Sequence, residues 1–232
     1  MYEGKFISAV ICAAGSSSRM KSTTSKQLLT FGGMTVLERT VMAFENDGVT
    51  DEIIIVCPEA LVREFSALFW GEAHRKKPIR FAKGGAERQI SVRNGVRATD
   101  EGCDIIAVHD GARPFITPGL IRLVVADGEK YGCATLAVPV KDTIKRVRNG
   151  SVIETPPRKE LYAIQTPQVF RKRLYLEAYE NAEKAGVVCT DDCRMVELYG
   201  GTVRITPGDY NNIKITTPED KALAEAIAAG GS

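Results

Sequence analysis

The loop that follows the first apolar run carries residue types suited to binding a polyphosphate. Ala13-Ala14-Gly15-Ser16-Ser17-Ser18-Arg19-Met20 is followed closely by Ser25-Lys26-Gln27. Small residues let backbone N–H groups approach an anion, and the cations Arg19 and Lys26 could stabilise charge that rises during a reaction. The loop lacks both a P-loop lysine motif and a dinucleotide-binding glycine motif. A solvated, serine-rich turn with surface cations is the alternative interpretation.

Three further clusters combine glycines or charged residues near apolar runs. They are Gly84-Gly85-Ala86-Glu87-Arg88-Gln89-Ile90-Ser91, His109-Asp110-Gly111-Ala112-Arg113-Pro114, and Asn211-Asn212-Ile213-Lys214. In open α/β sheets, ligands bind at the carboxyl ends of strands, which favours a functional interpretation. Each cluster also has a simpler interpretation, namely a strand-to-helix turn, a surface Asp–Arg pair and an exposed lysine.

The elements that must position these clusters alternate between short runs rich in Ile and Val and amphipathic helical patterns. Strands are predicted at residues 6–12, 52–57, 79–82, 105–108 and 134–138. Apolar residues from Val36 to Phe44 recur at helical spacing before Gly48, and Thr117-Pro118 and Thr217-Pro218 are typical helix starts. This alternation predicts an α/β fold with a doubly wound, mostly parallel sheet.

One stretch, at about residues 142–168, breaks the strand–helix rhythm. Asn149-Gly150 lies between the strand-like runs 143–147 and 152–154, which is a strong signal for a β-hairpin. An isolated hairpin is only marginally stable in water. We therefore expect a projecting β-arm that packs against a second subunit.

Length and composition exclude several other classes of protein. The 232 residues fit one domain over 1–232 with an appended arm, and 44% hydrophobic residues are enough to fill a core. The formal net charge of +2 gives no reason to expect nucleic-acid binding. The first apolar run is too short to span a membrane. Six cysteines without a C-x-x-C pair, and only two histidines, disfavour a zinc site and indicate a cytoplasmic protein.

Taken together, the clusters resemble those of the 2-C-methyl-D-erythritol 4-phosphate cytidylyltransferases of the non-mevalonate isoprenoid pathway. The matching motifs are Ala13-Ala14-Gly15 through Arg19-Met20, Ser25-Lys26-Gln27, Gly84-Gly85 through Arg88 and Ser91, His109-Asp110, Ala112-Arg113-Pro114, Pro139-Val140, Asp142-Thr143, Thr166-Pro167-Gln168, Thr190-Asp191-Asp192, Asn212-Ile213-Lys214 and Pro218-Glu219-Asp220. Each motif alone is weak. Their order and intervals over nearly the whole chain make the resemblance specific.

The resemblance implies a Rossmann-like, nucleotide-diphospho-sugar transferase-like fold and a homodimer completed by the β-arm. It implies that the phosphate of 2-C-methyl-D-erythritol 4-phosphate attacks the α-phosphorus of CTP, with Mg²⁺ or another divalent cation present. The products are 4-diphosphocytidyl-2-C-methyl-D-erythritol and pyrophosphate. Such a transfer relies mainly on positioning and charge stabilisation. It needs no general base, because the second pKa of a phosphate nucleophile is about 6.

The resemblance also implies roles for individual residues. Arg19 and Lys26 match the pair that stabilises the transition state. The nucleotide-binding residues are expected to be Ala13, Ala14, Gly15, Ser17, Arg19, Lys26, Gly85, Arg88 and Ser91. The residues for the second substrate are expected to be Asp110, Arg113, Thr190 and Lys214, with Arg158 and Thr166 from the partner's arm. Asp110 is the candidate metal ligand, although CTP phosphates would hold most of the Mg²⁺.

The sequence departs from the family pattern at a few positions. Ser17 replaces a common glycine and Ala86 a common acidic residue, whereas Gly111 replaces a frequent alanine. The chain ends at Ser232, so no fused cyclase domain is expected.

Three alternative functions stay open at this stage. A ribitol 5-phosphate cytidylyltransferase shares the first loop, the arm and the Asp–Arg–Pro cluster, but Ala112, where that enzyme tends to have valine, favours methylerythritol phosphate. A nucleotide-binding module without catalysis would not need Arg19, Lys26, Asp110 and Lys214 together. RNA binding through the basic runs 75–77 and 171–173 is disfavoured, because no aromatic residues interleave them.

Overall fold

Strands form where the sequence places its runs of Ile and Val. In the computed structural model, which describes residues 1–15, 25–69 and 76–230, the strands in chain order are β1 (Ile7–Cys12), β2 (Thr30–Phe31), β3 (Met34–Thr35), β4 (Glu52–Cys57), β5 (Ile79–Lys83), β6 (Ile105–Asp110), β7 (Cys133–Pro139), β8 (Arg146–Arg148), β9 (Ser151–Glu154), β10 (Tyr162–Arg171) and β11 (Arg204–Pro207). Seven of them join in one sheet of order β11-β7-β10-β6-β1-β4-β5. Only β10 runs antiparallel to its neighbours in this described sheet. The predicted mostly parallel α/β sheet is confirmed, and all five predicted strands end within two residues of their predicted bounds.

Two of the helices begin at the prolines of the predicted start signals, Pro118 and Pro218. In chain order the helices are α1 (Val36–Glu45), α2 (Val62–Ala67), α3 (Arg88–Arg97), α4 (Pro118–Tyr131), α5 (Lys172–Lys184), α6 (Asp192–Leu198) and α7 (Pro218–Gly230). The Thr117 side chain accepts a hydrogen bond from the Leu120 backbone and starts α4, as predicted. Throughout the described ranges, no helix combines the length and apolar character needed to cross a bilayer.

Helices cover both faces of the sheet, and the alternation of side chains along each strand separates two cores. Along β1, Ile7, Ala9 and Ile11 point to the core formed with α1 and α4. Val10 points to the opposite core, which contains side chains of α3, α5 and α6. Because both faces of the central strands are buried, the carboxyl edge of the sheet is where loops can present polar side chains to a ligand.

Helix α3 packs unusually close to the sheet, and this fixes the position of its first turn. A Cβ atom added to Gly95 would lie 2.5 Å from side-chain carbons of both Val10 and Val56. The absence of a side chain at Gly95 therefore allows the helix to lie directly on β1 and β4. As a result Arg88, the first residue of α3, is held beside the end of β1.

The predicted hairpin is present as β8 and β9, joined at Asn149 and Gly150, which both have positive φ angles. Its side chains are exposed. The structure differs from the sequence-based prediction at the far end of segment 142–168, because β10 begins at Tyr162 and lies between β7 and β6 in the main sheet. The polar residues and proline of Gln165-Thr166-Pro167-Gln168 hide this strand from an analysis based on apolar runs.

Candidate active site at the carboxyl edge of the sheet

A cavity of about 400 Å³ opens at the carboxyl ends of β1 and β6. The loops after β1, β5 and β6 meet there with the first turn of α3, as expected for an open α/β sheet. The cavity is lined by Cys12, Ala14, Gly15, Lys26, Gln27, Gly85, Ala86, Glu87, Arg88, Ser91, Asp110, Ala112 and Lys214. Residues from all four clusters singled out in the sequence therefore lie around one cavity.

The loop after β5 lies against the loop after β1. A Cβ atom on Gly84 would come within 2.5 Å of the Ala14 Cβ, so only glycine allows this approach. The Gly85 backbone N–H donates to the Ser91 hydroxyl at 2.9 Å, and that hydroxyl lies 3.0 Å from the Glu87 carbonyl oxygen. Ser91 thus braces the turn that brings Gly85 and Arg88 to the cavity wall.

Lys26 brings a cationic group to this cavity. It is the first residue of a short 3₁₀ turn (Lys26–Leu28) and is 8% exposed. Ala13 is buried at the end of β1, and its backbone N–H donates to the Val56 carbonyl oxygen at 2.7 Å, which extends the pairing of β1 with β4 beyond Cys12. The other two predicted loop residues, Ser17 and Arg19, lie outside the described residues.

Asp110 lies at the centre of the charged groups at this edge. Its Oδ2 atom is 2.8 Å from Lys214 Nζ and 3.6 Å from Arg113 Nε, and its Oδ1 atom is 3.8 Å from Arg88 Nε. Burial alone would raise the pKa of Asp110, but Lys214, Arg88 and Arg113 outweigh burial and hold that pKa well below its usual range. The carboxylate is therefore ionised near neutral pH and gathers three cations at one point.

A second buried carboxylate, Asp192 on α6, fixes the other side of Arg88. Its Oδ2 atom is 2.6 Å from Arg88 Nη1, and Asp192 is 1% exposed. Burial lowers the pKa of Arg88, but the surrounding anionic groups, Asp192 first and Asp110 with it, together outweigh burial and raise that pKa above its ordinary value. Arg88 is held between Asp192 and Asp110, so the direction of its guanidinium is set by two anchors.

The donor set at Asp110 does not fit a metal centre built by the protein. Both carboxylate oxygens face cationic groups at the distances above, which compete with a metal ion for the same lone pairs. Among the residues that the structure describes, no group of three or more His, Cys, Asp or Glu side chains could hold a metal ion. A divalent cation in this cavity would need ligands from the phosphates that it accompanies.

Thr166, Arg158 and Thr190 lie in different surroundings from the lining residues. Thr166 is buried on β10, and its hydroxyl accepts a hydrogen bond from the Asp110 backbone N–H of the same chain at 3.0 Å. It therefore does not lie on the projecting arm, because the arm has ended before β10 begins. Arg158 is exposed in a 3₁₀ turn near the hairpin and donates to the Lys141 carbonyl oxygen. Thr190 is exposed directly before Asp191, the N-cap of α6.

A larger cavity of about 860 Å³ lies along the edge strand β11, away from the charged cluster. Its wall is mainly aromatic and aliphatic, including Tyr131, Tyr162 and Tyr210. Phosphorylated ligands need cationic and polar partners, so the smaller cavity at the carboxyl edge is the better candidate for the active site.

Comparison with known families identifies the group of proteins that shares this arrangement. The sequence model of the family described as "IspD: 2-C-methyl-D-erythritol 4-phosphate cytidylyltransferase" matches residues 7–229. The chain belongs to this family. The match spans β1 to α7 and so includes every loop that lines the candidate site.

Relatives in the family are similar over almost their whole length. The 2-C-methyl-D-erythritol 4-phosphate cytidylyltransferase of Caldanaerobacter subterraneus subsp. tengcongensis is 42% identical, covering 94% of this chain and 97% of the relative. The one from Geobacillus thermodenitrificans is 44% identical, covering 95% and 96%. Among solved structures, the 4-diphosphocytidyl-2C-methyl-D-erythritol synthase of Anaerococcus prevotii superposes with a TM-score of 0.88 at 33% identity, covering 98% of this chain and all of that chain. The cytidylyltransferase of Thermus thermophilus superposes with a TM-score of 0.78 at 32% identity, covering 97% and 99%.

The structure adds residues to the site that the sequence did not assign to it. Asp192 was recognised only as part of a family motif, since an acidic residue at a helix start usually stabilises the helix N-terminus. His109 has no predicted role, although it precedes Asp110. No spacing rule could pair Asp192 with Arg88, because the two residues are 104 positions apart. The only local signal is the pair of acidic residues, Asp191-Asp192, at the start of a short helix.

Proposed function

We propose that the protein transfers CMP from CTP to 2-C-methyl-D-erythritol 4-phosphate, giving 4-diphosphocytidyl-2-C-methyl-D-erythritol and pyrophosphate. The observation that carries the proposal is the group of cations, Arg88, Arg113 and Lys214, around Asp110. Of these residues, Arg88, Asp110 and Lys214 line one cavity with Lys26. Two phosphorylated substrates repel each other, and their reaction needs concentrated positive charge. Family membership makes this reaction the first choice for such a site.

On the nucleotide side, we propose that the backbone of Ala13, Ala14 and Gly15 and the turn at Gly85 hold the CTP. Ala14 and Gly15 line the cavity directly, and Ser91 keeps the turn in place. Arg88 is proposed to lie beside the nucleotide. Lys26, together with Arg19 and Ser17 of the adjoining loop, is proposed to contact the triphosphate. Lys26 and Arg19 would stabilise the charge that develops as pyrophosphate leaves.

On the acceptor side, we propose that Asp110, Arg113 and Lys214 hold the polyol phosphate, with Thr190 at the rim. A carboxylate can accept hydrogen bonds from substrate hydroxyls, and cations can bind the phosphate. The phosphate attacks as a dianion, so the enzyme has no proton to remove. The small side chain of Ala112 lines the cavity, which leaves room for the branched methylerythritol chain.

We propose that the active protein is a homodimer in which the hairpin reaches the neighbouring subunit. The hairpin exposes Val147, Val152 and Ile153, each at about half of its surface or more. Apolar groups arranged in this way usually mark an interface. Arg158 lies close to the hairpin in sequence and is proposed to complete the partner's site.

We propose that a divalent cation, with Mg²⁺ as the first candidate, accompanies CTP and is bound mainly by its phosphates. It supplies charge neutralisation on the triphosphate. Asp110 is the candidate side-chain ligand for this cation, but its ion pairs with Lys214, Arg88 and Arg113 indicate that its main role is to position these cationic side chains. We place the enzyme in the cytoplasm, a proposal supported by its six free cysteines.

Pyrophosphate release tests the proposal directly. Purified protein should be assayed with Mg²⁺ and each of CTP, UTP, ATP and GTP, in combination with 2-C-methyl-D-erythritol 4-phosphate or ribitol 5-phosphate. We expect release with CTP and the methylerythritol substrate. Exclusive use of ribitol 5-phosphate would favour the pentitol enzyme. Binding of CTP without pyrophosphate release from either acceptor would favour a non-catalytic nucleotide-binding module.

A further inference from the structure

The backbone pairing between β6 and β10 stops two residue pairs before Asp110 of the candidate site. Backbone pairing ends at Gln168 and Val108, and the same register would bring Thr166 opposite Asp110. At that position the Asp110 N–H donates to the Thr166 side-chain hydroxyl at 3.0 Å instead of to a backbone carbonyl. A side chain therefore continues the sheet at the residue that organises the cations.

The Thr166 hydroxyl has a second neighbour within hydrogen-bond distance, the Nδ1 atom of His109 at 3.0 Å. The other ring nitrogen of His109, Nε2, lies 3.2 Å from the carbonyl oxygen of Arg113. A carbonyl can only accept, so Nε2 must carry a hydrogen. His109 is 0% exposed, and the cost of burying a charge keeps its imidazole neutral. Nδ1 is therefore an acceptor.

These constraints determine which atom is the donor in each of the three linked hydrogen bonds. The Asp110 N–H donates to Thr166 Oγ1, the Thr166 hydroxyl donates its single hydrogen to His109 Nδ1, and His109 Nε2–H donates to the Arg113 carbonyl. The hydroxyl of Thr166 has no further hydrogen to offer a substrate. The hydroxyl therefore links the Asp110 N–H to His109 Nδ1.

The same network also holds the backbone around Lys214. Arg113 Nη1 donates to the Asn212 carbonyl oxygen at 2.7 Å, and Asn212 Nδ2 donates to the Thr166 carbonyl oxygen at 3.0 Å. Asn212 is 0% exposed and precedes Lys214 by two residues. The network thus closes on itself and ties three separate parts of the chain together.

We infer that His109 and Thr166 are positioning residues, which fix the relative placement of Asp110, Arg113 and Lys214 through one fully directed hydrogen-bond network. The kinetic consequence rests on the proposed function, because it concerns the side chains proposed to hold the polyol phosphate. The hydrogen-bond directions rest on the structure alone. The Thr166 contacts that carry this inference, to the Asp110 N–H and to His109 Nδ1, lie within one subunit.

The test combines the tautomer of His109 with the kinetics of two Thr166 variants. Protein labelled with ¹⁵N-histidine contains only two histidines, and His74→Gln assigns the signals of His109. We expect a single neutral tautomer with the hydrogen on Nε2, in the absence of any substrate. A hydrogen on Nδ1 of the wild-type protein would overturn the inference, whether or not the protein is active.

Thr166→Val keeps the shape of the side chain and removes the hydroxyl, and Thr166→Ser keeps the hydroxyl. Leaving the buried Asp110 N–H and His109 Nδ1 unpaired should lower kcat/KM for the polyol phosphate about ten-fold or more, with the KM for CTP changed less than about two-fold. The His109 Nδ1 resonance should shift in Thr166→Val and return to its wild-type position in Thr166→Ser, together with activity.

Two results with Thr166→Val would contradict the inference. Lost activity with unchanged His109 resonances would mean that Thr166 contacts substrate directly. Shifted resonances with wild-type kinetics would mean that the network does not position the site. If Thr166→Val fails to fold, the tautomer of the wild-type protein still decides the hydrogen-bond directions. If wild-type protein fails to turn over the polyol phosphate, the tautomer result is unaffected, so failure of the proposed function is recognised separately.

Discussion

The carboxyl edge of the sheet and the hairpin of β8 and β9 are built in opposite ways. At the edge, Asp110 and Asp192 are almost fully buried, and each is paired with cations of the same chain. In the hairpin, Val147 and Val152 are both more than half exposed. The charged groups are therefore satisfied within one chain, whereas the apolar groups of the hairpin lack cover within the described part of that chain.

The buried charged groups and the exposed hairpin have different structural roles. Charges in a catalytic site act best when they are fixed before the substrate arrives, and buried hydrogen bonds provide that order. A hairpin gains stability only when it packs against something else. The carboxyl edge therefore accounts for charge placement within a subunit, and the hairpin is the element that we propose joins two subunits.

The largest loss of turnover should come from removing a cationic side chain at the carboxyl edge of the sheet. Lys26→Ala should lower kcat about 100-fold or more, because a charge on the transition state loses its partner. Arg19→Ala is expected to behave in the same way. Circular dichroism should show intact folding, and Lys184→Ala, which changes an exposed lysine at the end of α5, should keep wild-type turnover. Near-normal turnover of Lys26→Ala would remove Lys26 from its catalytic role.

A subunit-mixing experiment tests whether Arg158, which lies near the hairpin, completes the active site of the partner subunit in the proposed dimer. Arg158→Ala and Lys26→Ala should each be nearly inactive alone. Random mixing should restore about a quarter of wild-type turnover, since half of the dimers are mixed and each mixed dimer has one intact site. Activity of mixtures that have exchanged subunits is compared with unexchanged mixtures. No recovery after proven exchange would mean that each site is complete within one chain.

A smaller loss is expected when the second anchor of Arg88 is removed. Asp192→Asn keeps the size of the side chain and removes the negative charge that faces Arg88 Nη1 at 2.6 Å. The KM for CTP should rise about ten-fold while kcat changes less, because a partly buried cation loses its orientation. Glu197→Gln, an exposed acid on the same helix, is the matched control. Equal kinetics for the two variants would argue against an anchoring role for Asp192.

The burial of His109 should also make the free energy of unfolding depend on pH between about 4 and 6.5. Burial lowers the pKa of His109 from 6.5 to about 4, so the unfolded chain binds the proton more readily than the folded protein. The contribution of His109 to the free energy of unfolding is present above pH 6.5 and is lost as pH falls towards 4. Urea unfolding should show a smaller pH dependence in His109→Gln over this window. The same slope in both proteins would contradict a buried, neutral His109.

The smallest change in chain stability is expected in the hairpin. Val152→Ser should alter the free energy of unfolding by no more than about 0.5 kcal/mol, since the side chain is exposed within its own chain. Light scattering should nevertheless show a shift from dimer to monomer at micromolar concentration. Val188→Ser, another exposed valine outside the hairpin, should leave the assembly unchanged. A dimer that persists in Val152→Ser would place the interface elsewhere.

The sequence was most informative where local patterns decide structure. Runs of Ile and Val predicted the central strands, Thr117-Pro118 predicted the start of α4, and Asn149-Gly150 predicted the hairpin. The strand β10 was missed because its central residues are polar and include Pro167. Its place between β6 and β7 comes from tertiary pairing and not from its own apolar pattern.

The residues of the candidate site could be predicted from the sequence, but the hydrogen bonds and ion pairs between them could not. Asp110, Arg88 and Lys214 were named from motifs, and the structure brings them together. The bond from the Asp110 backbone to Thr166 joins positions 56 apart, and only folding can reveal it. Whether an acid such as Asp192 is buried or solvated is likewise decided by packing and not by local sequence.

A competition assay between the two polyol phosphates distinguishes the proposed reaction from its alternatives. CTP and Mg²⁺ are incubated with the protein and equal amounts of 2-C-methyl-D-erythritol 4-phosphate and ribitol 5-phosphate, and the cytidine diphosphate products are separated and identified by mass. We expect 4-diphosphocytidyl-2-C-methyl-D-erythritol as the dominant product, with one pyrophosphate released for each molecule formed. A dominant ribitol product, or consumption of CTP without either product, would contradict this expectation.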